Sequence, residues 1–384
     1  MLARDSAVWI RPVDQRHRLK KALLIEPNDL TYHVMKKILA IDGGGIRGIV
    51  PGQVLVALEQ KLQAKSGRPD ARLADFFDFF AGTSTGAILS SIYLCPAAGS
   101  PTKARFSAQQ AVDLYVQNGG SIFSVSVWKR IESGNGILDE KYDAAALEKA
   151  LGTYFGDLPL SQLLRPCLVP AYDIEHRRAH FFAQHNPALY GPSYDFRVRD
   201  VCRATSAAPT YFEAARIQSL TNETYALIDG SVFANNPALS AFSEVCNAQG
   251  GPTTADLFIV SLGTGGQHNP YPYATAKNWG AAGWVRPLID IMMDGAAETT
   301  DYHLSRLFMA SGHRDQYVRL QPENLGGASA AIDDASPANI RALVELGTAT
   351  ARKFDAQLER IAATVLADGP DPVTFAFAAP VAAQ

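Results

Sequence analysis

The fold that this sequence predicts is α/β, a three-layer α/β/α sandwich with a mostly parallel central sheet, and two observations predict it. An apolar run that enters a glycine turn and leaves as a helix occurs twice, over residues 38–62 and again over 76–94. Beyond them, short β-type runs keep alternating with helical ones, which implies strands joined by crossover helices and a sheet covered on both faces.

Taken in order, Ile38-Leu39-Ala40-Ile41 reads as a strand, and Val54, Leu55, Leu58 and Leu62 recur at helical spacing after it. Phe76, Phe77, Phe79 and Phe80 predict a second core strand, followed by an apolar helix over 87–94. Helices are expected over 108–116 and 144–154, strands over 167–173 and 180–183, and a helix ending at Ala207-Ala208-Pro209. Two further core strands, 225–228 and 257–262, enclose a helix over 238–246. Helical pattern then covers 288–309 and 338–366, with Trp284, Ile289, Ile291, Met292 and Met293 read as a buried face. The expected organisation is an N-terminal extension over 1–36, one domain over 37–366, and a Pro/Ala-rich, flexible tail over 367–384.

Composition narrows the function. With 35 basic against 38 acidic residues there is no global positive field of the kind that draws nucleic acid. Residues 1–37 hold eight basic and four acidic side chains, so they carry +4 and leave −7 for the remainder of a chain at −3. That segment reads as a solvated leader or packed helix, with contact to anionic headgroups as the sharper alternative. Cys95, Cys167, Cys202 and Cys246 are scattered, which indicates neither a disulfide framework nor a metal site. Arg4, Asp5 and Arg11 interrupt the pattern of a cleavable signal, and no run of 18 apolar residues occurs. A cytoplasmic or peripheral-membrane protein is the expectation, with the oligomeric state left open.

Chemistry concentrates in three places. Gly82-Thr83-Ser84-Thr85-Gly86 has the G-x-S-x-G form of a nucleophile elbow, between an apolar strand and an apolar helix. A strand turning sharply into a helix leaves no room for side chains at Gly82 and Gly86, and it sets Ser84 in the positive field of the helix start. Asp42-Gly43-Gly44-Gly45-Ile46-Arg47-Gly48 contains G-x-G-x-x-G. A dinucleotide site would require the next strand to end in an acidic residue, but that strand ends in the serine elbow. The loop is better assigned to an oxyanion hole, formed by Gly43, Gly44 and Gly45 with Gly44 and Gly45 as the main donors. No Lys-Ser/Thr follows, so it is not a Walker loop. Arg47 would hold a substrate phosphate or brace the loop.

The serine needs a base. Asp229, in Ile228-Asp229-Gly230-Ser231, closes an apolar run and so falls at a strand end, where open α/β sheets place their sites. A carboxylate must be buried to act on a serine, so a raised pKa is expected of it. The alternatives are a Ser-His-Asp esterase using His268, His303 or His313, a phosphate- or nucleotide-binding module, and an Asp229 that merely opens a turn before Gly230.

Together, Asp42–Gly48, Gly82–Gly86 and Asp229–Ser231 match in order and spacing the three motifs of the patatin-like phospholipases, which this chain resembles. Connecting phrases also look like plant patatins: Ala71-Arg72-Leu73-Ala74-Asp75, Ala204-Thr205-Ser206-Ala207-Ala208-Pro209-Thr210, Ser261-Leu262-Gly263-Thr264-Gly265 and Asp333-Asp334-Ala335-Ser336. The likeness spans residues 37 to 365. It implies a Ser84–Asp229 dyad without histidine, metal or cofactor, supported by Arg47, Gly48, Gly82, Gly86 and Gly230. It also implies hydrolysis of acyl esters in membrane or micellar glycerolipids. Ser231 departs from the family, which usually carries Gly or Ala there, and sets a hydroxyl beside the base.

Overall fold

Eight strands form the central sheet of the computed structural model, which describes residues 34–122, 144–266, 270–369, 372 and 374–377. They are β1 (Lys36–Ile41), β2 (Phe79–Gly82), β5 (Cys167–Asp173), β6 (Arg178–Ala183), β7 (Ala215–Gln218), β8 (Thr224–Asp229), β9 (Leu257–Leu262) and β10 (Tyr317–Leu320). A separate hairpin pairs β3 (Pro96–Ala97) with β4 (Ser100–Ala104). The order across the sheet is β10-β9-β1-β2-β5-β8-β7, with β6 on β5. From β10 to β5 every neighbour is parallel. β6 and β8 run antiparallel to β5, and β7 antiparallel to β8. The sheet is mixed and mostly parallel, as expected.

Strand alternation divides the core into two. Leu39, Ile41, Phe80, Val169, Val260 and Leu320 point to one face, whereas Ile38, Ala40, Phe79, Leu168, Ile259 and Tyr317 point to the other. The first face is covered by α1 (Ile49–Ser66), α2 (Thr85–Leu94), α3 (Ala108–Ile122), α4 (Ala145–Phe155), α5 (Val198–Thr205), and two helices further along the chain. The second face is covered by α6 (Ala238–Cys246) and by the end of α7 (Ala281–Ala310) through Leu304 and Phe308. The periodic stretch expected as one helix over 338–366 is broken at Phe354 into α8 (Pro337–Lys353) and α9 (Asp355–Leu366), both on the first face.

Three expectations need correction. The second strand begins at Phe79, because Phe76 and Phe77, although fully buried, sit in the approach to it. The first half of α7 is not a buried face: Trp284, Ile291 and Met292 are exposed, and only Met293 is enclosed. The segment read as a flexible tail is seated where it is described. Phe375 and Phe377 lie 6.0 and 6.3 Å from Phe79, Phe377 stacks on His185 at 3.7 Å, and the Gln249 amide donates to Ala376 at 2.7 Å. Two aromatic rings at alternate positions anchor it, a signal that Pro/Ala content hides. Residues 1–33 of the expected extension lie outside the described residues. Among those described, no helix is long and apolar enough to cross a membrane.

Candidate active site

Register explains how two residues 145 positions apart in the chain meet. Ala81 of β2 pairs with Leu168 of β5, and Ala171 of β5 pairs with Asp229. Extending β2 three residues to Ser84 brings it level with Ala171, and so with Asp229 on the far side of β5. Asp229 closes a strand, as its sequence suggested, but that strand is one of the antiparallel members of the sheet. β8 runs in from beyond the carboxyl end of β5, antiparallel to it, and stops near the level at which β2 ends.

Ser84 begins α2 with φ 53° and ψ −121°, a backbone conformation that a non-glycine residue holds only when its surroundings impose it. The surroundings are on both sides. The Ser84 amide donates to Thr205 Oγ1 at 3.0 Å, and that hydroxyl donates to the Pro170 carbonyl at 2.6 Å. Thr83 Oγ1 donates to the Ala234 carbonyl at 2.6 Å. A Cβ on Gly86 would stand 2.1 Å from the Ile41 carbonyl oxygen, and one on Gly82 would stand 2.3 Å from that of Gly86. Gly48 is held equally close by the Thr85 hydroxyl, and Gly230 by the Pro170 carbonyl.

Asp229 is 2% exposed and lies beside Ser84. Its amide donates to the Ala207 carbonyl at 3.0 Å, and its Oδ1 accepts from the Ser231 amide at 2.7 Å. Burial pushes its pKa up from 3.8 to about 6, against the Ser231 amide and the Ser231 and Ser84 hydroxyls, which stabilise the anion. The Ser231 hydroxyl is near enough to act on this charge, yet it completes no well-formed hydrogen bond. Asn235 Oδ1 is likewise buried without a partner, and both atoms crowd the position that a Gly43 side chain would take.

The glycine loop divides its donors differently from the expectation. Gly43 donates its N–H to the Asn235 carbonyl at 3.0 Å, so it is spent on structure and is not an oxyanion donor. Among the described residues no acceptor takes the Gly44 and Gly45 amides. Gly45 has φ 58° and sits against the Ile332 carbonyl, where no side chain fits. Thr264 fixes the loop from behind, donating to the Gly43 carbonyl at 2.7 Å and filling the space over Gly44. Asp42 anchors its start through a two-pronged pair with Arg319 on β10, at 2.8 and 2.5 Å. Arg47 is buried near the cavity, its Nε lacking a partner.

From Ser84 and Asp229 a narrow apolar slot of about 70 Å³ runs between α2, α3, α4 and α7, lined by Ile88, Leu114, Leu151, Phe212, Ile289 and Met293. Among the described residues no histidine lines it. His303 is exposed on α7, His313 lies past the end of that helix, and His268 is outside the described residues. Among the described residues no group of three His, Cys, Asp or Glu side chains is disposed to hold a metal ion. Sequence reasoning missed Thr205, Thr264, Asn235 and Arg319. The first two stand in phrases already noted for their likeness to plant patatins, which was the available signal.

Known proteins resemble this chain over most of its length. A family model described as patatin-like phospholipase matches residues 39–242. Patatin-like protein 2 of Arabidopsis thaliana is 35% identical over 351 residues, covering 84% of each chain. A Solanum tuberosum protein named probable inactive patatin-3-Kuras 1 is 32% identical, over 83% of this chain and 86% of its own. Among solved structures, human GIVD cytosolic phospholipase A2 in complex with methyl gamma-linolenyl fluorophosphonate aligns with a TM-score of 0.46 at 12% identity, over 92% of this chain and 62% of that one.

Proposed function

Because this chain belongs to the patatin-like phospholipase family, we propose that it is an active lipid acyl hydrolase working through Ser84 and Asp229. The observation that carries this reading is a buried carboxylate of raised pKa facing a conformationally strained serine at the head of an apolar slot. Asp229 takes the Ser84 proton as Oγ attacks the ester carbonyl, and negative charge moves to the carbonyl oxygen. The Gly44 and Gly45 amides, for which no acceptor occurs among the described residues, and the N-terminus of α2 stabilise that charge. Collapse of the tetrahedral intermediate expels the alcohol, which receives the proton from Asp229. Water then gives a proton to Asp229 as it attacks the acyl-enzyme, and the carboxylic acid leaves with Ser84 restored.

The slot suits an acyl chain, and the flexible side chain of Met293 is the part of its wall most able to yield to one. No metal or cofactor enters this chemistry. Labelling with an alkyl fluorophosphonate tests the reading directly. The parent chain should be modified at Ser84, and Ser84→Ala should be inert to label and substrate. Asp229→Asn should lose about three or more orders of magnitude in ester hydrolysis while still folding. An unlabelled parent, or an Asp229→Asn variant of near-parental rate, overturns it.

A further inference from the structure

Each residue of the serine turn is gripped by a different part of the chain. Thr83 is bonded to the Ala234 carbonyl, and the Ser84 amide to Thr205. Thr85 is bonded to Tyr115 of α3, twice over. The Thr85 hydroxyl donates to the Tyr115 phenol oxygen at 2.6 Å, and the phenol donates to the Thr85 carbonyl at 2.9 Å. Tyr115 and Thr85 are 5% and 2% exposed, so bulk water competes with neither bond. Burial pushes the phenol pKa well above its ordinary value, so the group keeps the proton that it donates. The proposed chemistry makes no use of this phenol, although its ring lines the slot.

The place of Thr85 gives this pair its reach. Thr85 is the first residue of α2, directly after Ser84, and its amide opens the helix with no backbone acceptor among the described residues. The Ser84 side chain makes no capping bond, so the turn that carries the nucleophile is fixed from outside. The Thr85 hydroxyl also stands 2.1 Å from where a Cβ on Gly48 would lie, and a Cβ on Gly119 of α3 would stand 2.7 Å from the Ile46 side chain. α3 therefore packs on the elbow and on the glycine loop at once, with Tyr115 supplying its hydrogen bonds to the elbow. We propose that Tyr115 is a positioning residue, which acts through Thr85 to set the Ser84 hydroxyl and the first amide of α2 against the Gly44 and Gly45 amides. Attack on an ester needs such groups to agree to within about half an ångström, and a rigid support from a neighbouring element supplies that. The inference rests on the lipid-hydrolase reading and adds a residue to its site.

The full chain should be assayed on p-nitrophenyl butyrate and p-nitrophenyl palmitate, with active serines counted by titration to completion with an alkyl fluorophosphonate. Tyr115→Phe keeps the ring in the slot wall and removes both bonds. It should lower kcat per titrated serine about tenfold on both esters, with KM within about twofold, and by the same factor from about pH 6 to pH 9. Thr85→Val should lose less, because the phenol still reaches the carbonyl, and Thr85→Ser should recover most of that loss. Added to Tyr115→Phe, Thr85→Val should cost nothing further, since the hydroxyl it removes has already lost its partner. A purely structural pair of bonds predicts a lower urea midpoint with a parental kcat per titrated serine. That result, a loss confined to KM or to palmitate, or losses that multiply in the double variant overturns the positioning role. Should Tyr115→Phe fail to fold, Thr85→Val against Thr85→Ser decides by the same readings. Failure of the hydrolase reading looks different: the parent itself then neither hydrolyses the esters nor takes the label, and the positioning role falls with it.

Discussion

In the proposed mechanism Asp229 sets function against stability within a single side chain. Its pKa is raised in the folded chain, so its contribution to stability is present below about 3.8 and is lost as pH climbs through about 6. Above that the fold carries a buried anion at a cost of about 3 kcal/mol. Asp229→Asn should therefore gain on the parent by that order between pH 4 and pH 7, read by urea unfolding at several pH values. A difference that stays flat with pH would mean that the carboxyl titrates normally. With Asp229 as the proposed base, kcat/KM should fall tenfold per pH unit below about 6 and level off above it. Thr205 is the residue whose importance no motif announces. It is fully buried and joins the Ser84 amide to the Pro170 carbonyl, so Thr205→Val leaves two backbone groups unmet. The variant should lose about 2–4 kcal/mol of stability and about ten- to a hundredfold in kcat, with KM little changed. Ser84 and Asp229 drew notice because their neighbours in sequence mark them, and the structure sets the two side by side. Gly43 was misassigned because its amide is claimed by Asn235, nearly two hundred residues downstream, and no local pattern encodes that.

Elements obey what their own sequence dictates and conceal what their partners decide. The alternation of apolar runs predicted where β5, β8 and β9 lie, yet nothing in 224–229 states that β8 runs against β5. Direction comes from the connection through α5 and β7, which returns the chain as a hairpin instead of a crossover. α7 shows the limit of periodicity more plainly. Apolar residues at helical spacing mean a face that avoids water in the folded state or in the liganded one, and here part of that face walls the slot while Trp284, Leu288 and Ile291 stay exposed. Ile289 is half-buried at the slot, where added bulk narrows the passage without overfilling the core. Ile289→Trp should leave hydrolysis of butyrate esters within about twofold and slow palmitate esters about tenfold. Equal loss on both chain lengths would remove α7 from the acyl wall.

Across the whole molecule, the sheet keeps its two faces for different tasks. Ile88, Leu114, Leu151 and Phe212, which line the slot, all belong to the core on the first face. The second face is a smaller core closed by α6, the end of α7 and the rings of Phe375 and Phe377. Composition could not reveal that closure, because its anchor is two side chains in a stretch otherwise poor in pattern. Each ring is half-buried against Phe79, and each should contribute about 2 kcal/mol. Phe375→Ala/Phe377→Ala should therefore lower the melting temperature by several degrees. Ser84 lies just past the carboxyl end of the central strand β2, and the bonds that hold it run through Thr205, Pro170 and Thr83 without touching the tail. The rate of fluorophosphonate labelling at 20 °C should accordingly match that of the parent, although the variant unfolds sooner. If labelling slowed in step with the lost stability, the two faces would be coupled through β1 and β2, and the separation of stability from chemistry would not hold.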